Sequence, residues 1–142
     1  MHTSELPAGG ATAGRIDTAG VLPLVGRIAI AAIFILSGFS KLTAPGATIG
    51  YIASAGLPVP QLALAAAILV ELGGGILLIL GYRTRLVAAL LAIFSVVTAL
   101  AFHSALDDQN QFIHFFKNLA MAGGLLQVAA FGAGRLSLDA RR

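Results

Sequence analysis

Six ionisable residues stand within or at the ends of otherwise apolar runs: Arg27, Lys41, Glu71, His103, His114 and Lys117, with Asn118 and Gln127 beside them. One carboxylate, two imidazoles and several cations can exchange protons, hold an anion or donate hydrogen bonds to a carbonyl. A charge at the centre of a membrane helix costs about 2.5–3.5 kcal/mol on insertion scales, so each needs a partner or a purpose. Glu71 is expected to pair with Lys117 or Arg27 and fix helix register. The functional alternative is a proton-exchanging carboxylate. His103 precedes Asp107 by four residues and His114 precedes Asn118 by four, spacings that allow hydrogen bonds along one helix. Lys41 is expected to snorkel to the membrane surface. Two His and one Glu on three separate segments show no HxxxH or ExxH spacing, so no metal site is expected. The Gly73-Gly74-Gly75 run falls within an apolar segment and reads as close helix packing or a kink, not a phosphate loop. Gly46, Gly50 and Ser54 form a small-residue ridge suited to docking.

The elements that must position these groups follow from composition. The chain has 142 residues, of which 58% are hydrophobic and 11% charged, and its mean hydropathy is +0.92. A soluble domain carries about a quarter charged residues. Soluble globular, disordered and nucleic-acid-binding classes are thereby excluded. The pI near 10.0 comes from nine Lys and Arg against six Asp and Glu, too few for a basic groove that binds nucleic acid. The absence of Cys excludes disulfides, thiolate metal sites and dithiol chemistry by this chain alone. The expected fold class is all-α: a polytopic membrane protein.

A span needs about 20 apolar residues. Four segments qualify: Val21–Leu42, Gln61–Leu80, Leu86–Ala105 and Phe112–Phe131. They should form a left-handed antiparallel bundle with crossings of about 20°. Gly46–Ala55, between Pro45 and the Pro58/Pro60 pair, is too short to span and reads as a surface helix or one tucked into the bundle mouth. Residues 1–20 read as a disordered cytoplasmic tail, 21–136 as the membrane domain and 137–142 as a cytoplasmic C-terminal tail. The late, long first apolar run argues against a cleaved signal peptide. Arg15, Arg83, Arg85, Arg135, Arg141 and Arg142 fall on one side and Lys41 alone on the other, six positive charges against one. That bias places both termini in the cytoplasm, with Arg83 and Arg85 as anchors.

Helical spacing then aims the polar groups. Ala63, Ala67, Glu71 and Gly75 share a ridge; Ala88, Ala92, Ser95, Ala99 and His103 form a small-residue stripe; Lys117, Ala120, Gly124 and Gln127 share a face. Small residues mark helix contacts in membranes. Counting about 1.5 Å per residue puts Glu71 at mid-membrane, Lys117 and Asn118 a turn outward, and His103, His114 and Lys41 further out. Arg27 falls on the inner half. The expectation is a cavity toward the outer side, lined by His103, His114 and Lys117 with Glu71 at its floor.

The chain resembles the DoxX family of small four-helix membrane proteins over roughly residues 22–139. The likeness is carried by Arg27 with Phe34-Ile35-Leu36-Ser37-Gly38 and Lys41-Leu42, by Gly56-Leu57-Pro58, and by Glu71-Leu72-Gly73-Gly74 leading to Leu80-Gly81-Tyr82-Arg83-Thr84-Arg85. It continues in His103, Phe116-Lys117-Asn118-Leu119-Ala120, Gly123-Gly124-Leu125-Leu126 and Gly132-Ala133-Gly134-Arg135-Leu136-Ser137-Leu138-Asp139. The resemblance implies fold and membrane location, and puts Arg27, Lys41, Glu71, His103, Lys117 and Asn118 on recurring positions without an established catalytic role. Relatives are linked to membrane thiosulfate:quinone and thiol-stress redox complexes. The first expected function is an oxidoreductase-associated inner-membrane subunit that binds a quinone or small sulfur anion in the outer half of the bundle, with Glu71, His103, His114, Lys117 and Asn118 as the candidate ligand-binding or proton-exchanging residues. No covalently bound cofactor is expected. The chain has no haem, flavin or iron–sulfur motif, so electrons would need another carrier. Expected partners are the lipid bilayer and a redox partner protein or a second copy of the chain. Two other functions compete: a non-catalytic scaffold whose buried ion pairs only fix packing, and a transporter of small anions or protons, though no broken-helix repeat is visible.

Overall fold

The computed structural model describes residues 15–142, and no strand occurs among them. The order is α1 (Val21–Thr43), α2 (Pro45–Ser54), α3 (Pro60–Ile68), a π-helical turn (Leu69–Gly73), α4 (Gly74–Leu80), α5 (Thr84–Phe102), α6 (Gln109–Phe131) and a 3₁₀ turn (Asp139–Arg141). Three continuous helical stretches among the described residues are long and apolar enough to cross a membrane: Val21–Thr43, Pro60–Leu80 and Thr84–Phe102. Helix α6 has the length, at 23 residues, but Asn110, Gln111, His114, Lys117, Asn118 and Gln127 make it more polar. The exposed surface of the long helices carries Leu36, Phe39, Leu69, Leu90, Ile93 and Leu100, as expected of helices meeting lipid.

The turns between helices have local causes. Pro45 and Pro60 open α2 and α3 at the first helical position, where a missing N–H costs nothing. Gly81 closes α4 in the left-handed conformation at φ 68°, its N–H returning to Leu77 O. Asp108 starts α6 by accepting from the N–H groups of Asn110 and Gln111. Helix α5 begins at Thr84 and ends at Phe102, so Ser104 and Ala105, expected within the third span, lie in a loop instead.

The core is built on α5. Ala88, Ala92, Ser95 and Ala99 of the small-residue stripe read from the sequence are buried, with Leu91 beside them, while His103 at its end is only partly buried. Leu78 and Leu125 fill the space against it with Ala31 and Phe34. Close approach on the opposite side needs glycine. A Cβ at Gly75 would lie 2.7 Å from Ile35, and one at Gly38 would lie 2.8 Å from Leu72.

Helix α6 turns a different face inward from the one expected. Ala122 and Leu125 are its buried residues, while Lys117, Ala120 and Gln127 are exposed. The reason is the partner: α6 packs along α5, where Asn118 bonds Thr98, and that contact selects the neighbouring ridge.

At the Arg27 end the tails are part of the packed structure. Arg27, 1% exposed, sends Nη1 to Leu78 O and Ile79 O at 2.9 and 2.7 Å and Nη2 to Leu136 O. Leu138 N bonds Leu80 O, Asp139 N bonds Gly81 O, and Arg135 N bonds Ala19 O. The Asp139 carboxylate accepts from Arg83 N and Thr84 N, both at 2.8 Å, and so caps α5 from a distant part of the chain. Burial alone would raise the Asp139 pKa, but hydrogen bonds from Thr84 and Arg83 and the charge of Arg142 outweigh it and hold the carboxyl below its usual range. Beyond the expected boundary at 136, Leu138 and Asp139 are hydrogen-bonded to backbone groups at the end of α4 and the start of α5. Residues 17–20 form a turn around the Asp17 side chain, which also pairs with Arg135. The rest of the expected N-terminal tail, residues 1–14, lies outside the described residues.

Candidate functional site

The π-helical turn is what aims Glu71. Five residues share one widened turn, and such turns inside α-helices mark functional positions. Glu71 is 5% exposed and points toward α1. Its partner there is Lys41: Nζ lies 3.1 Å from both carboxylate oxygens. Ser37, one turn before Lys41 on the same helix, donates to Oε1 at 3.2 Å and accepts from Lys41 Nζ at 2.7 Å. The other oxygen, Oε2, is left without an aligned hydrogen bond among the described residues.

This corrects two sequence expectations. Glu71 pairs with neither Lys117 nor Arg27, and Lys41 does not snorkel away. Arg27 is taken up by the carbonyls at the end of α4, where a cation also meets the negative end of the helix dipole. Lys117 lies on the far wall, on α6. Lys41 remains at 23% side-chain exposure, at the end of α1 but still within reach of the carboxylate.

Around this triad lies a cavity of about 700 Å³. Its walls are mainly apolar, from α1, α3, α5 and α6, with Tyr51 and Ile52 of α2 also lining it. The charged and amide groups on it are Lys41, Glu71, Lys117 and Asn118, joined by the His114 imidazole and by hydroxyls that include Ser37, Tyr51 and Thr98. Asn118 Nδ2 donates to Thr98 Oγ1 at 3.1 Å, and Thr98 in turn donates to Ser95 O. The expected hydrogen bond between His114 and Asn118 is therefore replaced by one across the helices. Lys117 has no carboxylate within 4 Å among the described residues.

Of the expected lining, the structure brings together Glu71, His114 and Lys117, with the further candidate Asn118 beside them. His103 stands behind the wall. Its ring stacks on His114 with centroids 5.0 Å apart, and Nδ1 is 3.0 Å from Gln111 Oε1. Gln111 thus replaces the expected Asp107, because α5 stops at Phe102 and the i, i+4 relation to Asp107 is lost. Tyr51, Thr98 and Ser37 were not singled out from sequence. Ser37 carried a signal, four residues before Lys41; Tyr51 carried only its being a phenol on the short helix. Among the described residues no group of three metal-ligating side chains occurs.

The DoxX family model matches residues 22–104. The chain belongs to the DoxX family. Two Escherichia coli (strain K12) proteins are similar to it over nearly their whole length. One, named inner membrane protein YphA, is 39% identical over 126 residues, covering 85% of this chain and 90% of that protein. The other, named inner membrane protein YqjF, is 37% identical over 125 residues, 88% of this chain and 93% of that protein. No solved structure matches the chain. As a DoxX protein with three long apolar helices, it is an integral membrane protein.

Proposed function

We propose that this DoxX protein is an inner-membrane subunit associated with an oxidoreductase, and that its cavity binds a quinone-type ligand. The inner-membrane placement is supported by the names of its two E. coli relatives. In this reading α6 is a fourth span in an antiparallel arrangement, its polar face turned to the cavity and headgroups. Arg83, Arg85, Arg135, Arg141 and Arg142 then face the cytoplasm with both termini.

The observation that carries the ligand is the mixed lining of the 700 Å³ space. Pockets for small molecules are mainly apolar with a few placed polar groups. Phe34, Phe94, Phe102 and Met121 suit a flat hydrophobic ring. Lys117, His114 and Asn118 offer donors to its carbonyls, and among the described residues no carboxylate lies within 4 Å of Lys117. A small hydrophilic anion such as thiosulfate would use the same cation but gain nothing from the apolar walls. The Glu71–Lys41–Ser37 cluster at the floor offers a place to hold a proton beside the ligand. Electrons would come from a partner protein, since the sequence carries no redox motif.

The scaffold reading draws on a different observation. Arg27 and the Glu71–Lys41 pair are both spent in internal contacts. The two readings separate on one experiment: extracting the purified protein with organic solvent and recording its optical spectrum. Stoichiometric quinone supports the ligand reading; a stable, folded protein with none supports the scaffold.

A further inference from the structure

The opposite end of the molecule holds a second, more open groove of about 590 Å³, between the start of α5 and the C-terminal segment. Arg83, Arg85 and Arg142 line it, with Asp139 as its carboxylate. We propose that this groove seats the headgroup of an anionic phospholipid.

Three observations carry the assignment. First, the one acidic side chain is turned inward: both Asp139 oxygens accept backbone N–H groups of α5, and Arg142 approaches only to 3.7 Å. Three guanidiniums therefore face one carboxylate that is already engaged. Arg85 has no carboxylate within 4 Å among the described residues. Second, the cations are held in place. The Arg83 and Arg142 guanidiniums lie 5.9 and 5.3 Å from the centroid of the Tyr82 ring. Arg85 lies against Gly132, where an added Cβ would sit 3.3 Å from Nε. Guanidinium forks match phosphate oxygens in bidentate geometry. Third, the groove sits at the ends of the membrane-crossing helices, where a headgroup lies. Leu86, 56% exposed, and Phe131, 79% exposed, are on its rim. They give acyl chains an apolar path toward the hydrocarbon. A soluble phosphate has no use for that rim, so the lipid is the better occupant. Basic pockets at one end of membrane helices recognise lipid phosphates in this way.

The test uses the full-length protein in neutral detergent, with phosphatidylglycerol, phosphatidylcholine or inorganic phosphate added. Bound lipid is counted by native mass spectrometry and stabilisation followed by thermal melting. Phosphatidylglycerol should bind saturably and raise the melting temperature, while the other two should not. R83Q, R85Q and R142Q should each weaken it about fivefold, the effect of one cation at a lipid surface. R135Q removes a charge at the same end, from a residue paired with Asp17 outside the groove, and should leave binding unchanged. Should R83Q or R142Q unfold, R85Q alone decides, because Arg85 is exposed and makes no ion pair among the described residues. Equal loss in R135Q and R85Q, retention of phosphatidylglycerol by R85Q, or equal stabilisation by inorganic phosphate would overturn the proposal.

Discussion

Replacing Lys41 by Met removes the cation that faces Glu71 and leaves a carboxylate at 6% side-chain exposure with only the Ser37 hydroxyl beside it. Breaking a fully buried pair in this way costs about 3–5 kcal/mol. Lys41 is 23% exposed, so the lower end, about 3 kcal/mol, is the appropriate figure here. The reverse change, E71L, strands an ammonium near the end of α1 that can turn toward the headgroups. Its cost should be smaller, about 1–2 kcal/mol. The double variant K41M/E71L has neither orphan and should come within about 1 kcal/mol of the wild type. The asymmetry and the coupling are both readable from a double-mutant cycle. Unfolding free energies would be measured in mixed detergent for the wild type, both single variants and the double. Losses that add to within about 0.5 kcal/mol would refute the pairing. So would an E71L variant less stable than K41M, because the burial difference between the two partners requires the opposite order.

Arg27 makes three hydrogen bonds to carbonyls, and R27K cannot reproduce the fork. It should lose about 2–3 kcal/mol, and hydrogen exchange should accelerate at the Leu138 and Asp139 amides. D139N keeps the shape of the cap but weakens it, at a cost of about 1 kcal/mol. Because the folded pKa of Asp139 is lowered, its contribution is full above the unfolded value near about 4. It is lost as pH falls through the folded value, so a melting-temperature profile of wild type against D139N should converge only in acid. G38A should destabilise by about 1–3 kcal/mol, since its Cβ would meet Leu72 at 2.8 Å, whereas nothing lies within 4 Å of a Cβ at Gly50 and G50A should melt like the wild type. A reporter fused after Asp108 should be active outside the cytoplasm and one at the C-terminus inside it.

Much of the helical frame was legible because continuous apolar runs leave few choices. The α5 stripe was readable for the same reason: Ala88, Ala92, Ser95 and Ala99 are small residues recurring at helical spacing on one face, and all four are buried. Charge partners were harder. Depth counting offers Glu71 only Lys117 or Arg27 and sends Lys41 to the surface, whereas rotation about the helix axis decides the partner. The π-helical turn at Leu69–Gly73 sets that rotation, and nothing in local spacing announces it beyond the adjacent glycines. The face of α6 was misread because Lys117, Gly124 and Gln127 look like a buried ridge when small and polar residues are weighed alone. The contact with α5 instead uses Asn118, Ala122 and Leu125. The docking of the C-terminal segment was missed because its bonds to Arg27 and to the α4–α5 turn each have a backbone atom on at least one side, as in Arg27 to Leu136 O and Asp139 to Arg83 N, and backbone partners leave no trace in the residue pattern.

The central claim is tested most directly by titrating a short-chain quinone analogue into the detergent-solubilised protein, with wild type, K117M and A67F measured side by side. Ala67 lines the cavity one helical turn before Glu71, so a phenyl ring there fills the space without itself removing a charge. The account expects saturable binding to the wild type, at least tenfold weaker binding to K117M and none to folded A67F, with thiosulfate failing to compete. Equal binding to all three proteins, or none to a folded wild type, would contradict it.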